Sequence, residues 1–491
     1  MDFRYSPNMQ SIDRTEGDIN QASWRNEWRA ALPESSRLLL DEDDRLFLHQ
    51  SLSTPCLDVL DSASGALIRS VSGAEWLDFH GNNVHQAGHA HPRILAAVRE
   101  QLERLPFCPR RFTNRPAIDL ARELLRRAPP SLGKVLFAPG GAEAVSMALK
   151  LARLATRKPG VLAFWDSFHG ATLDAISAGG EHLFRDPMEP LLPGFHHLPP
   201  PIVPPSHRGS AALEAQRDPD AIDFLLRREP TIGALIAEPF RYGFALRPPA
   251  GYWKRVRDIC DRRGVLLIFD EIPVCLGRAG HWFACEPEGV EPDMLVLGKG
   301  LGGGVYPMAA LLARPALDVG ADTALGHFTH EKSPVGAAAG LALIDLIESE
   351  NLLQKVRDDS AFFAEALQPL GNVFAQGLQV AVEVADDATA DRILHHSLQN
   401  GLSFKISGGN LLSLAPPLTI PRAQLAQAIG ILQGSNHAAG SAAERDESSR
   451  RGPPSYSATT HAAGSAAERN ESSRRGPPSY SAIQNPKSAI P

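Results

Sequence analysis

Short, almost wholly apolar runs recur along the middle of the chain. They fall at Lys134–Ala138, Val161–Phe164, Ile232–Ala237, Val265–Phe269 and Met294–Leu297. None alternates with period two, which predicts strands buried on both faces. Between them, Ala117–Arg127, the segment from the Gly140-Gly141 turn to about Thr156, and Gly251–Arg263 have helical periodicity. From about residue 115 to 315 this alternation predicts a parallel sheet covered by helices on both faces. Val305–Ala313 is predicted to add a further strand. Upstream, Leu46–Leu60 and Leu67–Phe79 partly alternate and predict strands of a smaller domain, and Ile94–Leu105 reads as an amphipathic helix. Downstream, Val335–Glu348 and Leu352–Leu367 read as helices and Asn372–Glu383 as short strands. Ala388–Gln399 reads as a helix, Leu411–Leu414 as a strand before Pro416-Pro417, and Gln424–Leu432 as the last helix.

Two regions fall outside this pattern. Residues 186–222 are Pro-rich and predict an irregular surface excursion. From His437, HAAGSAAERDESSRRGPPSYSATT is followed from His461 by HAAGSAAERNESSRRGPPSYSA, a tandem copy with a period of 24 residues. Small, charged, Pro and Gly residues dominate it, so it cannot form a core and is expected to be disordered, without a part in catalysis. Residues 1–35 are polar and predict a poorly anchored arm or a short helix. The expected organisation is thus an arm (1–35), a small α/β domain from residues 36–80 and 335–433, a large domain (81–334) and a tail (434–491).

Composition narrows the function classes. A chain of 491 residues exceeds one compact core. No apolar run is long enough to cross a membrane, and the first residues lack the apolar stretch of a secretory signal. A net charge of −7 offers no general attraction to nucleic acid or to anionic membranes. The five cysteines form no CxxC pair, so free thiols in a reducing cytoplasm are expected. The 17 histidines include no HExxH, and no metal site is expected.

The chemistry concentrates in Gly264–Gly304, GVLLIFDEIPVCLGRAGHWFACEPEGVEPDMLVLGKGLGGG. One apolar run ends in Asp270 and Glu271, and the next ends in Gly298-Lys299-Gly300. Each therefore delivers a charged residue at a strand's carboxyl end, where open α/β sheets keep their ligands. An Asp and a Lys so placed suit pyridoxal 5'-phosphate: the amine forms a Schiff base with its aldehyde, and the carboxylate keeps the ring nitrogen protonated. Taken singly, each has a plainer reading, as a loop lysine or an acid at a strand end. Their joint placement, 29 positions apart (270 to 299), favours the cofactor. Pro139-Gly140-Gly141-Ala142-Glu143 opens a helix whose first N–H groups suit a phosphate.

The blocks FDEI, GRAG and PDMLVLGKGLGGG resemble the core of the class III aminotransferases, which are fold-type I pyridoxal-phosphate enzymes. The resemblance covers roughly residues 43–432. It implies an α/β fold, with a large cofactor domain of mostly parallel sheet plus the small domain, and a cytoplasmic homodimer. It also assigns residues. Lys299 carries the cofactor and moves the proton at the amine-bearing carbon, and Asp270 pairs with the ring nitrogen. Phe168, of Phe168-His169-Gly170, stacks on the ring, with Ile272 on the opposite face. Gly140, Gly141, Ala142 and Thr329 hold the phosphate, Thr329 reaching that of the other subunit. Glu238 has a supporting role. Gly88, His89, His91 and Pro92 match the family's GHxHP turn; Asn82, Asn83 and His85 precede it and read as loop residues.

This chain also departs from the family. Gly140 and Ala142 stand where hydroxyl residues are usual, so the backbone must do most of the phosphate binding. Pro273 replaces a frequent Gln. Ser413 replaces the Arg that grips a substrate carboxylate in many members, and Gly243 replaces the Glu that masks that Arg. Loss of both halves weakens the reading of a transaminase that alternates with 2-oxoglutarate, because a bidentate Arg grip is the usual anchor. The blocks TEGDIN, LFLHQSLSTPCL, FHGNNVHQAGHAHP, DEIP and THEKSP are most similar to a branch linked to phosphonate breakdown. Its members are ammonia-lyases that convert (R)-1-hydroxy-2-aminoethylphosphonate to phosphonoacetaldehyde and ammonia. Arg110, Arg111, Arg241, Lys332 and Lys405 are candidate partners for the anion. Two alternatives stay open, a transaminase for a small primary amine and an inactive fold used for binding.

Overall fold

The computed structural model describes residues 24–50, 55–202 and 217–450. At its centre lies a seven-stranded sheet in the order Lys134–Ala138, Ala309–Ala313, Met294–Leu297, Leu266–Asp270, Ile232–Ala237, Gly160–Phe164, Phe195–Leu198. The last five run parallel, and Ala309–Ala313 is antiparallel to both its neighbours. Every residue of Ile232–Ala237, Gly160–Phe164, Met294–Leu297 and Ala309–Ala313 is buried, which is why these segments carry no alternation. The parallel direction brings Phe164, Ala237, Asp270 and Leu297 to one edge of the sheet, so the residues just after them gather there.

Two four-stranded sheets complete the fold. In the first, Leu60–Ser64, Leu67–Ser70 and Glu75–Asp78 form an antiparallel meander, and Leu402–Ser403 joins Glu75–Asp78 in parallel. In the second, Asn372–Gln376, Gln379–Glu383, Leu411–Leu414 and Lys405–Ser407 are all antiparallel. Leu402–Ser403 and Lys405–Ser407 are consecutive, so one short stretch ties the two sheets together. The amide of Phe79 donates to Ser403 at 2.8 Å, and that of Ala415 donates to Phe79 at 2.7 Å. One apolar core runs through all three sheets, from Phe79 and Ile94 through Phe269 and Leu297 to Leu412 and Leu432. The five cysteines are unbridged, and all but Cys56 are buried.

Several expectations needed correction. Of the stretch 46–60, expected to be a strand, residues 51–54 lie outside the described residues; among the described ones a helix, Glu34–Leu46, occupies the start and the first strand begins at Leu60. The acids and Arg45 of 41–45 suit an exposed helical face better than a pleat, and the helix buries Ser36 and Leu40. The N-terminal region is better anchored than expected where it is described. Trp24–Ala31 is a helix whose Trp28 indole donates to Leu57 O at 2.8 Å and whose Trp24 ring stacks on His395 at 4.8 Å. The Pro-rich region contains an edge strand of the main sheet, Phe195–Leu198, and a helix, Pro219–Arg228; residues 203–216 lie outside the described residues. Val305 precedes the strand, which starts at Ala309.

The final helix, Arg422–Arg450, runs past Leu432 and through much of the first repeat copy, where an unstructured tail was expected. Ala, Glu and Arg have high intrinsic helix propensity. The second copy lies outside the described residues. Packing divides the chain at Ala443, and from Glu444 the described part is this helix alone.

Candidate active site

Lys299 follows its strand at the start of a short 3-10 turn, Lys299–Gly302. Its φ of 44° is left-handed, a strained state for a side-chain-bearing residue that persists where surroundings enforce it. Asp270 closes the neighbouring strand, buried. Its Oδ1 accepts from the Ile272 amide at 3.0 Å, and its Oδ2 lies 2.8 Å from His169 Nδ1. His169 is itself buried, and its Nε2 has no hydrogen-bond partner among the described residues. The pair fixes the Asp270 carboxylate from behind, a positioning role the motif alone did not disclose.

These groups line a cavity of about 880 Å³. Of the residues singled out from the sequence, Gly141, Ala142, Phe168, His169, Glu238, Asp270, Ile272 and Lys299 all face it. Gly140 stands just before the helix Gly141–Thr156 as its N-cap, with extended φ of −155°. Thr329 is exposed in its loop and does not reach this chain's cavity. The floor is tightly built: a Cβ on Gly141 would come within 2.8 Å of Ile272 Cδ1, and one on Gly298 within 3.1 Å of Ile272 Cγ2. Phe168 is over a third exposed, with Phe184 at 4.7 Å between ring centroids.

A second group lines the same cavity. Arg241 donates to Glu238 and, at 2.8 Å, to Glu181, and all three are largely buried. Burial opposes the guanidinium's charge, but Glu238 and Glu181 outweigh it and hold the pKa above its usual value. Beside it the Tyr242 ring lies 5.3 Å from Lys299 Nζ and 5.6 Å from Lys405 Nζ. Of the five candidate anion partners, Arg241 and Lys405 face the cavity, whereas Arg110, Arg111 and Lys332 do not.

The departures from the family pattern are connected in space. The buried Asn83 amide donates to Pro273 O at 2.9 Å and to Gln379 Oε1 at 3.2 Å, and Gln379 donates to Ser413 Oγ at 3.3 Å. Pro273 and Ser413 are thus two ends of one polar network, which Asn83 and Gln379 complete. His85 and His89 both approach Asp78 behind this wall: His89 Nε2 lies 2.9 Å from its carboxylate, and His85 Nε2 3.0 Å from its carbonyl oxygen. Ligand atoms of the three lie within 4.8 Å of one another, although the contacts have hydrogen-bond geometry. Burial pushes His85 down to about 4, so it is neutral near pH 7. Glu271, next to Asp270, is structural. It accepts the amides of Ala284 and Cys285, and burial pushes its carboxyl up to about 7.

The sequence pattern of the family Aminotransferase class-III matches residues 50–435. The chain is a member of the class III aminotransferase family. This enzyme is 43% identical to the (R)-1-hydroxy-2-aminoethylphosphonate ammonia-lyase of Vibrio splendidus, over 86% of this chain and 94% of that protein. It is 35% identical to an acetylornithine aminotransferase of Methanopyrus kandleri, over 77% and 93% of the two chains. In structure it resembles a PLP-bound amine transaminase from an uncultivated Pseudomonas species, with a TM-score of 0.72 and 29% identity, covering 80% of this chain and 99% of that one.

The class III enzyme uses pyridoxal 5'-phosphate, and its residues fit that group. The space at Gly141, which a Cβ would close against Ile272, admits a flat ring and leaves helix N–H groups for a phosphate. Asp270, backed by His169, offers a fixed negative charge, and Lys299 offers an amine in the same cavity.

Proposed function

We propose that this chain is an ammonia-lyase of (R)-1-hydroxy-2-aminoethylphosphonate, yielding phosphonoacetaldehyde and ammonia. The observation that carries the reading is the 43% identity to that lyase over 86% of the chain. The missing carboxylate gate supports it. Ser413 is tied to Gln379, and Gly243 leaves no carboxylate to mask a cation. A lyase needs no keto acid, so it needs neither half of the gate.

Bound in the cavity, pyridoxal 5'-phosphate supplies an electron sink conjugated to the amine-bearing carbon. Lys299 holds it and acts as the base for the proton on that carbon. Asp270, oriented by His169, keeps the ring nitrogen protonated. Phe168 and Ile272 confine the ring, the Gly140-Gly141-Ala142 turn binds the phosphate through backbone N–H groups, and Glu238 secures Arg241. Over the reaction, hydroxide leaves the neighbouring carbon and water re-enters, so the net change is loss of ammonia. We further propose that the enzyme is a homodimer in which Thr329 reaches the phosphate of the other subunit. Its exposure, outside this chain's cavity, supports that reading. The unbridged thiols support a reducing, cytoplasmic setting.

The test is ammonia release by purified holoenzyme with no keto acid present. Stoichiometric ammonia and phosphonoacetaldehyde are expected. No ammonia, but amine transfer once pyruvate or 2-oxoglutarate is added, would replace the lyase with a transaminase. Loss of both activities would leave an inactive fold.

A further inference from the structure

Two groups of residues in the cavity lining matter here. One, at Asp270 and Lys299, belongs to the cofactor and the reacting amine. The other is formed by the short strand Lys405–Ser407 and the Tyr242–Phe244 turn. Residues two apart on a strand share a face, which puts Lys405 and Ser407 side by side. Lys405 pairs across the sheet with Ser413, whose hydroxyl accepts from Gln379. Directly paired residues of antiparallel strands project to the same face. The cation on this face is therefore Lys405, directly across from a serine.

We propose that Lys405 and Ser407 form the subsite for the substrate's anionic group, a tetrahedral phosphonate rather than a planar carboxylate. This rests on the lyase reading above. Three observations support it. Lys405 and Lys299 stand on the same aromatic ring, at 5.6 and 5.3 Å from the Tyr242 centroid, as suits a substrate whose amine and anion are close together. Ser407 Oγ is buried, faces the cavity and has no hydrogen-bond partner among the described residues, so it has a donor to give to an anion oxygen. The space beside that hydroxyl exists because residue 243 is glycine: a Cβ there would lie 2.9 Å from Ser407 Oγ. Arg241, which also lines the cavity, is paired with both Glu181 and Glu238. A compact ammonium, unlike a planar guanidinium fork, imposes no planar bidentate geometry on its anion.

The experiment uses the holoenzyme and two readouts, KM for the hydroxylated aminophosphonate and calorimetric binding of methylphosphonate. Lys405→Met is expected to raise KM and weaken methylphosphonate binding by about 10- to 100-fold, the equivalent of one charge-assisted hydrogen bond. A smaller change in kcat is expected, and Lys405→Arg should recover only part of the loss. Ser407→Ala is expected to weaken binding several-fold, and it serves as the deciding variant if Lys405→Met does not fold with cofactor. Equal methylphosphonate binding by wild type and the variants, or none by wild type, overturns the subsite. A wild type that binds methylphosphonate in a Lys405-dependent way but releases no ammonia would overturn the lyase reading and leave the subsite standing.

Discussion

Lys299 combines a left-handed φ, a place after a fully buried strand and a position in the cavity. Lys299→Ala is expected to abolish turnover while the fold survives, checked by ammonia release and by thermal unfolding; normal activity would sink the assignment. Asp270→Asn is expected to lower kcat by ~10²-fold or more, since a neutral amide cannot hold the ring proton in the same way. Arg241 carries a different burden. Arg241→Met leaves Glu181 and Glu238 buried without their cation, and a loss of about 3–5 kcal/mol is expected in chemical denaturation. A change within about 1 kcal/mol would show that water reaches the pair.

At the scale of elements, close approach of backbones sets the site's geometry. Gly180 lies where a Cβ would meet Trp165 Cα at 2.4 Å and Phe164 O at 2.5 Å, just before the segment that carries Phe168 and His169. Backbone cannot step aside as a side-chain tip can. Gly180→Ala is therefore expected to cost about 1–3 kcal/mol and to weaken cofactor binding, because the His169–Asp270 contact moves with the loop. Unchanged cofactor affinity would separate Gly180 from the site. The edge strand Phe195–Leu198 also shows where periodicity stops being informative. Four half-buried residues, two of them His, in a Pro-rich context carry no strand signal, yet they pair with Gly160–Phe164 because the sheet offers a free edge there.

For the whole molecule, the contiguous core couples the site to global stability and makes it acid-sensitive. Burial pushes both His85 and His197 down to about 4, from an ordinary value of 6.5. Between those values the unfolded chain binds protons that the folded chain refuses, so stability falls as pH is lowered from 6.5 towards 4. The expected loss is on the order of 1–3 kcal/mol per histidine. Thermal midpoints of wild type and His197→Phe, which keeps a ring against Trp165 and removes the titration, check this. The variant should lose less on acidification; parallel curves would assign the effect elsewhere.

Asp270, Lys299 and Phe168-His169 were singled out from the sequence because each follows a buried run, and a parallel sheet must bring such ends to one edge; the strand before the Gly140-Gly141 turn is buried only at its end. Most strands were legible because burial on both faces leaves no room for polar residues, but Lys134–Ala138, also expected to be buried on both faces, exposes Lys134 and Leu136. Three-dimensional packing decided what no local pattern encodes. It drew Pro273 and Ser413 together through Asn83 and Gln379, from four separate parts of the chain. It also set Arg241 and Lys405 apart from Arg110, Arg111 and Lys332 by facing them to the cavity, and it paired Arg241 with two acids. Hydrogen-bond partners and cross-strand neighbours far apart in sequence leave no periodic trace, so only the folded arrangement could choose among them.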